Sequence, residues 1–413
     1  MAFGLVFGCS SPSNAPDPSG PDAISDTGET IPSGPDAISV SLTPGSGTYS
    51  VTEEYTLTCN VTPSDAPIIK WESSDVTVAT VNSNGSVKAV GLGTAIITVT
   101  AKGGITKTSN VSVVPVFTDA TTGELESKNV YSIIFDGTRF IAGGDGGFIA
   151  HSTDGITWTR VANNIFGDTY SDTEVVAYDG NGHYIAGSGF NNTRISYSTN
   201  GRDWNAANVD NLSMFSKIQT AAYGNGRFVV GSSRSKIAYS TNDGLTWTPS
   251  TTVLDTSQTF DNTGINQIIF ADGKFVAVGG GSGKIAWSTD GDTWTVAESV
   301  GIPYKVLLIA FGGGKFLASS NDDIADSNDC RIWTNITPSN PSGNPLFAGS
   351  AGHMLFAKGH FFLGTEDAST KVSYSQDGIS WKSVPTRGIN TGAYGNGKLV
   401  FGSNSGWIIW ANL

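Results

Sequence analysis

One short pattern recurs six times along this chain and ends each time in tryptophan. It is clearest as Ser-Thr-Asp-Gly-Ile-Thr-Trp at 152–158 and Ser-Gln-Asp-Gly-Ile-Ser-Trp at 375–381. The final tryptophans stand 39 to 48 residues apart, and they are Trp158, Trp204, Trp247, Trp294, Trp333 and Trp381. A repeat of this period predicts a solenoid, an array or a propeller, and it constrains the fold more than any other feature of the chain.

Each repeat contains four short strand-like runs separated by turns. In the unit that runs from Asn266 to Val296, Asp-Gly separates the first pair of runs and Ser-Thr-Asp-Gly separates the second pair. Asp-Gly and Asn-Gly favour tight hairpins because both residues tolerate positive φ. The first hairpin recurs in seven units, at 136–137, 181–182, 225–226, 272–273, 313–314, 358–359 and 396–397. Four antiparallel strands in each of seven units predict an all-β chain with a seven-bladed β-propeller.

The last unit lacks one strand. It ends at Trp410-Ala-Asn-Leu, where the other units begin their tryptophan-containing turn. The segment Pro115-Val-Phe-Thr-Asp-Ala resembles an unattached fourth strand that precedes the first unit. We therefore predict that residues 114–121 complete the last blade of a propeller spanning 114–413, which would leave no free sheet edge at the seam.

The recurring turn resembles the Asp-box of BNR repeat proteins, a group that includes sialidases, some glucan hydrolases and many non-enzymatic propellers. The turn at 240–247 has the Asp-box spacing, and the other five are one residue shorter. The resemblance implies a structural turn, in which Asp or Asn accepts backbone N–H groups, Gly supplies positive φ and Trp packs between blades. A calcium or ligand site at each turn is the alternative. We assign the structural role to the six tryptophans and to Asp154, Asn200, Asn242, Asp290, Asp329 and Asp377.

The front of the chain has three segments. Leu5-Val-Phe-Gly-Cys9 resembles a bacterial lipobox, which implies a signal-like segment at 1–9, possible truncation of its start, and lipidation of Cys9. Residues 10–37 are rich in Ser, Pro, Gly and Asp and are predicted to be a disordered tether. An ordinary disordered N-terminus is the alternative. Together these features predict a lipid-anchored protein on the surface of a bacterial cell, or outside it.

Residues 38–113 read as a small β-sandwich, because several short alternating runs follow one another with regular turns. The segment resembles the bacterial Ig-like domain of surface adhesins and surface hydrolases, most specifically at Trp71 and in the Ser73-Ser74-Asp75 turn. The resemblance implies a spacer that holds another domain away from the cell.

Charge and cysteine content narrow the function classes. The net charge is −13, whereas nucleic-acid binding requires a basic surface, so that class is excluded. The three cysteines form no disulfide framework, and we expect Cys59 and Cys330 to be unpaired.

No catalytic constellation stands out. The four histidines, His151, His183, His353 and His360, have no metal-ligand spacing, and we predict neither a metal nor a cofactor. Calcium among Asp322, Asp323, Asp326 and Asp329 is the alternative. Arginines are few, and the Arg-Ile-Pro signature of sialidases is missing. Glu174, Asp172 and Asp261, near the blade entrances, leave a general glycosidase open. We predict that the protein is not an enzyme.

A binding role fits the loops best. The loops that lead into each blade are long and differ from one another, and loops on a rigid scaffold commonly carry function. They contain apolar residues that we expect to be exposed, although packing as local core is the alternative: Phe166, Tyr170, Phe190, Met214, Phe215, Phe260, Tyr304 and Phe347. We predict non-catalytic recognition of a protein or glycan partner by this face. The alternatives are a structural subunit that associates with itself or with a surface assembly, and a glycan hydrolase of sialidase-like architecture.

Overall fold

The computed structural model describes residues 32–413 apart from 126, 169, 190–192, 214, 252–263, 281–282, 304, 322, 337–350 and 367–370. Contacts divide the chain after Val114 into two compact units, each of which is treated by itself below. Within the described residues, no helix has the length and apolar character needed to cross a membrane.

From residue 32 onward, the first unit contains three small sheets. A parallel pairing of β2 with β9 extends an otherwise antiparallel sheet of order β2-β9-β8-β5, and β1-β4 and β3-β7-β6 form the other two. Along β8, Ala95, Ile97, Val99 and Ala101 are buried while the residues between them are not, which is the period-two pattern of a half-buried strand. Its strands are β1 (Ser39–Thr43), β2 (Ser46–Tyr49), β3 (Glu54–Thr56), β4 (Thr58–Thr62), β5 (Ile68–Ser73), β6 (Ala79–Val81), β7 (Ser86–Ala89), β8 (Gly93–Ala101) and β9 (Thr106–Val113).

The second unit contains seven four-stranded antiparallel sheets in its described residues, which we number in chain order. Sheet 1 has β11 (Val130–Phe135), β12 (Phe140–Gly144), β13 (Phe148–Ser152) and β14 (Thr159–Ala162). Sheet 2 has β15 (Thr173–Tyr178), β16 (Tyr184–Ser188), β17 (Ile195–Ser198) and β18 (Asn205–Ala206). Sheet 3 has β19 (Ile218–Gly224), β20 (Arg227–Ser232), β21 (Ile237–Ser240) and β22 (Thr248–Pro249). Sheet 4 has β23 (Ile265–Ala271), β24 (Lys274–Gly279), β25 (Lys284–Ser288) and β26 (Thr295–Val296).

The remaining sheets follow the same order. Sheet 5 has β27 (Leu308–Gly312), β28 (Lys315–Ser319), β29 (Ile324–Ser327) and β30 (Thr334–Asn335). Sheet 6 has β31 (Ala351–Ala357), β32 (His360–Thr365), β33 (Lys371–Ser375) and β34 (Lys382–Pro385). Sheet 7 has β35 (Thr391–Gly395), β36 (Lys398–Gly402), β37 (Ile408–Asn412) and, on its outer edge, β10 (Thr118–Asp119). Three 3₁₀ turns lie at Gly123–Leu125, Asp210–Leu212 and Asn404–Gly406.

The sheets are arranged in a ring. The first strand of each sheet contacts the first strand of the next, and β35 contacts β11, so the first strands surround a central axis. The strand expected over 114–121 is a two-residue pairing, Thr118 with Trp410 and Asp119 with Ile409. The Arg387 guanidinium supports this seam, because it donates to both Asp119 carboxylate oxygens at 3.0 and 2.9 Å. It also lies 3.6 Å from the centre of the Trp407 ring.

The core between the sheets is built around one aromatic position in the second strand. Phe140, Phe228, Phe275 and Phe316 are fully buried, and each contacts an aromatic residue at or next to the end of its own first strand, with ring centres 4.6–4.9 Å apart. A Cβ on Gly224 would lie 2.1 Å from the Phe270 ring of the next sheet, so only glycine permits that approach. Phe228 also packs with Ile185 and Phe275 with Val229, each in the preceding sheet, so these aromatic residues contribute contacts between blades.

Candidate functional site

The six tryptophan turns, at 152–158, 198–204, 240–247, 288–294, 327–333 and 375–381, share one hydrogen-bond pattern. In the first, the Asp154 carboxylate accepts from the backbone N–H groups of Ile156 and Thr157, both at 2.8 Å. The Ser152 hydroxyl accepts from Gly155 N–H at 2.8 Å, and the indole N–H of Trp158 donates to Gly155 O at 3.3 Å. The Ser152 hydroxyl also donates to Asp154 at 2.9 Å, and this serine-to-Asp/Asn bond and the Trp-to-carbonyl bond recur in the other five turns.

In the first turn these bonds converge on one oxygen of the carboxylate, Asp154 Oδ1. Burial of Asp154 favours its neutral form, but the hydrogen bonds from Thr157, Ile156 and Ser152 outweigh burial and lower its pKa. In the fifth turn, Cys330 stands at the glycine position with a φ of 69°. It is fully buried and unpaired, and burial raises the pKa of its thiol to about 12. Cys59 is also unpaired. The geometry of the turns therefore provides backbone support, with the tryptophan closing each turn.

The first hairpin of one sheet reaches the tryptophan turn of the next. Arg139 donates to Asn200 O at 2.6 Å, and Lys315 donates to Asp377 O at 2.7 Å. Arg227 reaches Asp290 O in the same way, and the Asn396 amide donates to Thr153 O at 2.9 Å across the seam. We call this end of the propeller, formed by the first-hairpin turns and the tryptophan turns, the turn end.

His183 takes the equivalent position in sheet 2. Its Nδ1 donates to Asp179 at 2.7 Å and lies 3.7 Å from Asp243, a carboxylate in the third tryptophan turn. The hydrogen bond to Asp179 raises the pKa of His183. The ligand-type atoms of these three residues lie within 4.8 Å of one another, although their sequence spacing did not suggest a metal site. His183 thus approaches the tryptophan turn of the next sheet as the basic residues do elsewhere in the ring, although it lies near a carboxylate and they donate to backbone carbonyl oxygens.

Two of the residues predicted to form an exposed binding surface are buried, and that expectation is wrong for them. Phe166 is 6% exposed and packs with Ile149 and Tyr184, and Phe215 is 3% exposed and packs with Leu212 and Trp247. Both side chains fold back over the ends of their blades because burial removes large apolar surfaces from water. Tyr170 is 73% exposed, as expected. The other predicted residues of this surface, together with Cys9, lie outside the described residues: Phe190, Met214, Phe260, Tyr304 and Phe347.

The opposite end, where the first strands begin, is called the loop end, and its distinguishing feature is a set of strand bulges. Five first strands carry an irregularity at the same place, one residue after the start of their pairing with the second strand. A bulge of this kind re-aims a side chain and is common at barrel rims and beside active sites. The residues at these bulges are all partly exposed, and they are Tyr131, Glu174, Gln219, Asn266 and Gly352.

At three of the bulges, the side chain of the residue that follows accepts a hydrogen bond from the backbone of the neighbouring sheet. Ser132 Oγ accepts from Val176 N–H at 2.9 Å, and Thr220 Oγ1 accepts from Ile268 N–H at 2.7 Å. Gln267 accepts in the same way from Ile309 N–H, and Thr391, in sheet 7 where the pairing is regular, accepts from Ile133 N–H. These bonds fix the positions of the first strands relative to one another, and so they hold the bulge residues in place.

A pocket with a volume of about 450 Å³ lies at this end, where the first strands begin. Glu174 and Lys217 form an ion pair in it at 2.6 Å. Burial raises the pKa of Glu174, and Lys217 only partly offsets that effect. The full lining is Glu174, Lys217, Gln219, Asn266, Lys305, Leu307, Leu308, Asn321, Gly352 and Glu366. A concave site with convergent polar groups and a perturbed carboxyl is the usual form of a small-molecule site.

Other candidates are dispersed. Asp172 accepts from Gly146 N–H at 2.7 Å, and Asp261 and Asp322 lie outside the described residues. Asp323 accepts from the Asn335 amide, whereas Asp326 pairs with Lys315 at 3.1 Å. Asp329, which the sequence grouped with Asp322, Asp323 and Asp326, lies in the fifth tryptophan turn. Among the described residues, these carboxylates do not converge on one point.

Burial controls the protonation of the other three histidines. His151 donates to Gly201 O at 2.9 Å and accepts from Arg139, and burial followed by the charge of Arg139 lowers its pKa to about 4. Burial also lowers the pKa of His353 to about 4 and lowers the pKa of His360.

Sequence reasoning found Glu174 but missed the rest of the pocket. The signal was a pair of adjacent polar residues near the start of otherwise apolar first strands, as in Thr-Glu-Val-Val, Ile-Gln-Thr-Ala and Ile-Asn-Gln-Ile. These side chains meet only because the ring brings the same position of successive sheets together.

The fold and the site define an all-β protein with an Ig-like domain and a β-propeller, as predicted. Residues 36–112 match the family model of the bacterial Ig-like domain (group 2), and residues 203–345 match that of the DUF6242 beta propeller domain. No curated protein matches the sequence.

Solved propellers are similar in fold. YCF48 bound to a D1 peptide is 14% identical with a TM-score of 0.56, and the alignment covers 72% of this chain and 97% of that one. YCF48 from Cyanidioschyzon merolae is 13% identical with a TM-score of 0.57, covering 72% and 98%. A catalytically inactive virginiamycin B lyase from Staphylococcus aureus with quinupristin is 12% identical with a TM-score of 0.60, covering 73% and 100%. At such identities the likeness concerns the fold alone.

Proposed function

We propose that this protein is a non-catalytic recognition protein whose propeller binds a protein or glycan partner at its loop end. The observation that carries the proposal is the set of bulges in the first strands, which directs Glu174, Gln219 and Asn266 into one pocket. A bulge at a polar residue interrupts the regular pairing of an otherwise apolar strand. A ring with a purely structural role has no need of such an interruption.

The similar propellers hold different ligands, a peptide in YCF48 and quinupristin in the lyase, so the fold does not choose the ligand. The choice rests on the side chains of the pocket and of the loops around it. Tyr170, which is 73% exposed at the same end, extends the proposed surface beyond the pocket. Exposed aromatic residues of this kind often anchor partners.

The location belongs to the same proposal. A lipobox-like Cys9, the tether behind it and an Ig-like spacer would hold the propeller at a bacterial cell surface, with the turns of BNR-like type serving as scaffold. Metabolic labelling with a fatty acid tests this arrangement, and we expect the label to be lost in Cys9→Ser.

The test of recognition is capture by the full chain on glycan and surface-protein arrays. Lys305 and Asn321 line the pocket and are exposed, so Lys305→Ala and Asn321→Ala should fold normally and lose captured partners. Lys382→Ala, on the exposed outer strand of sheet 6, is the matched control and should retain them. If the folded chain captures no partner on any array and light scattering detects assemblies, the recognition proposal is wrong and a structural role is favoured.

A glycan hydrolase is the second candidate, and one observation favours it. Glu174 and Glu366 line the same pocket, and the raised pKa of Glu174 is a property of acid catalysts. The ion pair with Lys217 argues against it, since it engages the carboxylate that would have to donate a proton. We expect no turnover of fluorogenic glycosides, and turnover that Glu174→Gln abolishes would establish the enzyme instead.

A further inference from the structure

We infer that the pocket at the loop end takes a neutral, hydroxyl-rich ligand, a sugar of one or two rings. This inference rests on the proposed function and narrows it from a partner of either kind to a glycan whose recognised part carries no charge.

The charges of the pocket are balanced. Two carboxylates, Glu174 and Glu366, and two ammonium groups, Lys217 and Lys305, line it. Glu174 and Lys217 already neutralise each other at 2.6 Å. An anionic ligand would lie near two carboxylates, and a cationic ligand would lie near two ammonium groups. Like charges brought together in a partly enclosed site weaken binding, so the pocket discriminates against ligands with a net charge.

The amides of the pocket present acceptors as well as donors. The Gln219 amide nitrogen donates to Ile265 O at 3.2 Å, and the Asn266 amide nitrogen donates to Val306 O at 2.7 Å. These bonds to the backbone of the next sheet fix which way each amide points, and they leave the amide oxygens as acceptors. Lys305 and Asn321 add donors on the other side of the pocket. A hydroxyl group both donates and accepts, so a ring with several hydroxyls can satisfy this mixed set.

The remaining lining is apolar. Leu307, Leu308 and the side-chain-free Gly352 provide a surface for the C–H face of a sugar ring. The volume of about 450 Å³ lies in the lower part of the range of roughly 300–1,000 Å³ for small-molecule sites. One or two rings therefore suit the pocket better than an extended polymer lying along it.

The experiment compares sugars that differ only in charge. Galactose is titrated against galacturonic acid, and glucose against glucosamine, with cellobiose and lactose as two-ring probes. The full chain is used, and binding is followed by calorimetry and by ligand-detected NMR. We expect at least one neutral sugar to bind, and its charged counterpart to bind ten-fold more weakly or not at all.

Two variants locate the binding. Gln219→Ala removes an acceptor, and Asn321→Ala removes an exposed donor whose loss should not affect folding. Each should lower the affinity for the neutral sugar at least five-fold, while Lys382→Ala should leave that affinity unchanged. Wild-type affinity in both folded pocket variants would place the sugar elsewhere and overturn the inference.

Two other results overturn it in distinguishable ways. If a charged sugar binds as tightly as its neutral counterpart, or if no sugar binds while the arrays still capture a partner that Asn321→Ala releases, the ligand class is wrong and the recognition function stands. If neither sugars nor array partners bind the folded chain, the proposed function fails together with the inference.

Discussion

The turn end and the loop end of the propeller differ in how their side chains vary around the ring. At the turn end, every tryptophan turn repeats the same hydrogen bonds, and even Asn200 and Asn242 in place of Asp keep the bonds to the backbone. At the loop end, the bulge repeats but its residue changes from Tyr131 to Glu174, Gln219, Asn266 and Gly352.

The difference separates scaffold from candidate function. A position that makes the same contacts in six of the seven sheets is explained by the needs of a single sheet, because each tryptophan turn must close an outer hairpin and pack its indole ring. A position whose backbone is constant and whose side chain varies is explained only by a function of the whole ring. The bulge residues that line the pocket occupy positions of this variable kind.

The largest effect is expected from removing a tryptophan at the turn end. Trp247 is 2% exposed and packs with Phe228 and Ile185, so Trp247→Ala should lower the free energy of unfolding of the propeller by about 3–5 kcal/mol. Leu245 lies in the same turn and is 41% exposed, and Leu245→Ala should cost less than about 0.5 kcal/mol. Calorimetry of the full chain measures the loss in free energy of unfolding for both variants. Equal losses would mean that the tryptophan stabilises the turn no more than an exposed side chain does.

The next largest effect is expected on the pH dependence of stability. It involves His151, which bonds Gly201 in the tryptophan turn of sheet 2. Burial, Arg139 and Arg202 lower its pKa from 6.5 to about 4, while the Gly201 carbonyl and Asp136 act the other way. Because the folded pKa is the lower one, this stabilisation is complete above pH 6.5 and is lost as pH falls toward 4. The linked loss is about 3 kcal/mol.

His151→Tyr tests this linkage, since Tyr197, Tyr239 and Tyr374 occupy the equivalent position in other sheets. The variant should lose less stability than the wild type between pH 6.5 and 4, as measured by denaturant titration at several pH values. Burial lowers the pKa of His353 as well, so part of the slope should remain. Parallel profiles for the two proteins would show that His151 is not held neutral by the fold.

The sequence predicted the scaffold better than the site, for a physical reason. Tryptophan, glycine and the turn carboxylate act within one unit, so their spacing predicted the turns and the propeller. The second-strand aromatics, such as Phe275, were visible for the same reason. Register irregularities leave almost no local signal, and the pocket forms only when equivalent positions of successive sheets meet. Phe166 and Phe215 were misplaced because a loop's sequence does not reveal whether it folds back over a blade end.

A smaller effect is expected from a turn carboxylate. Asp290 accepts from Asp292 N–H and Thr293 N–H, both at 2.9 Å, and from the Ser288 hydroxyl. Asp290→Ala removes these acceptors and should cost about 2 kcal/mol. Asp290→Asn should retain most of the stability, because Asn200 already makes the equivalent backbone bonds. If Asn costs as much as Ala in thermal unfolding, the negative charge matters at this turn and the equivalence of the turns is broken.

The smallest effect on stability is expected at the loop end, where Tyr170 is 73% exposed. Tyr170→Ala should change the free energy of unfolding by less than about 0.5 kcal/mol, because little apolar surface is buried there. Its effect should instead appear as weaker capture of the array partners of the full chain. Leu245→Ala, which removes an exposed apolar side chain from the turn end, should leave that capture unchanged. A loss of capture in the Leu245 variant and none in the Tyr170 variant would reverse the assignment of the two ends, because recognition would then depend on the end whose contacts repeat from sheet to sheet.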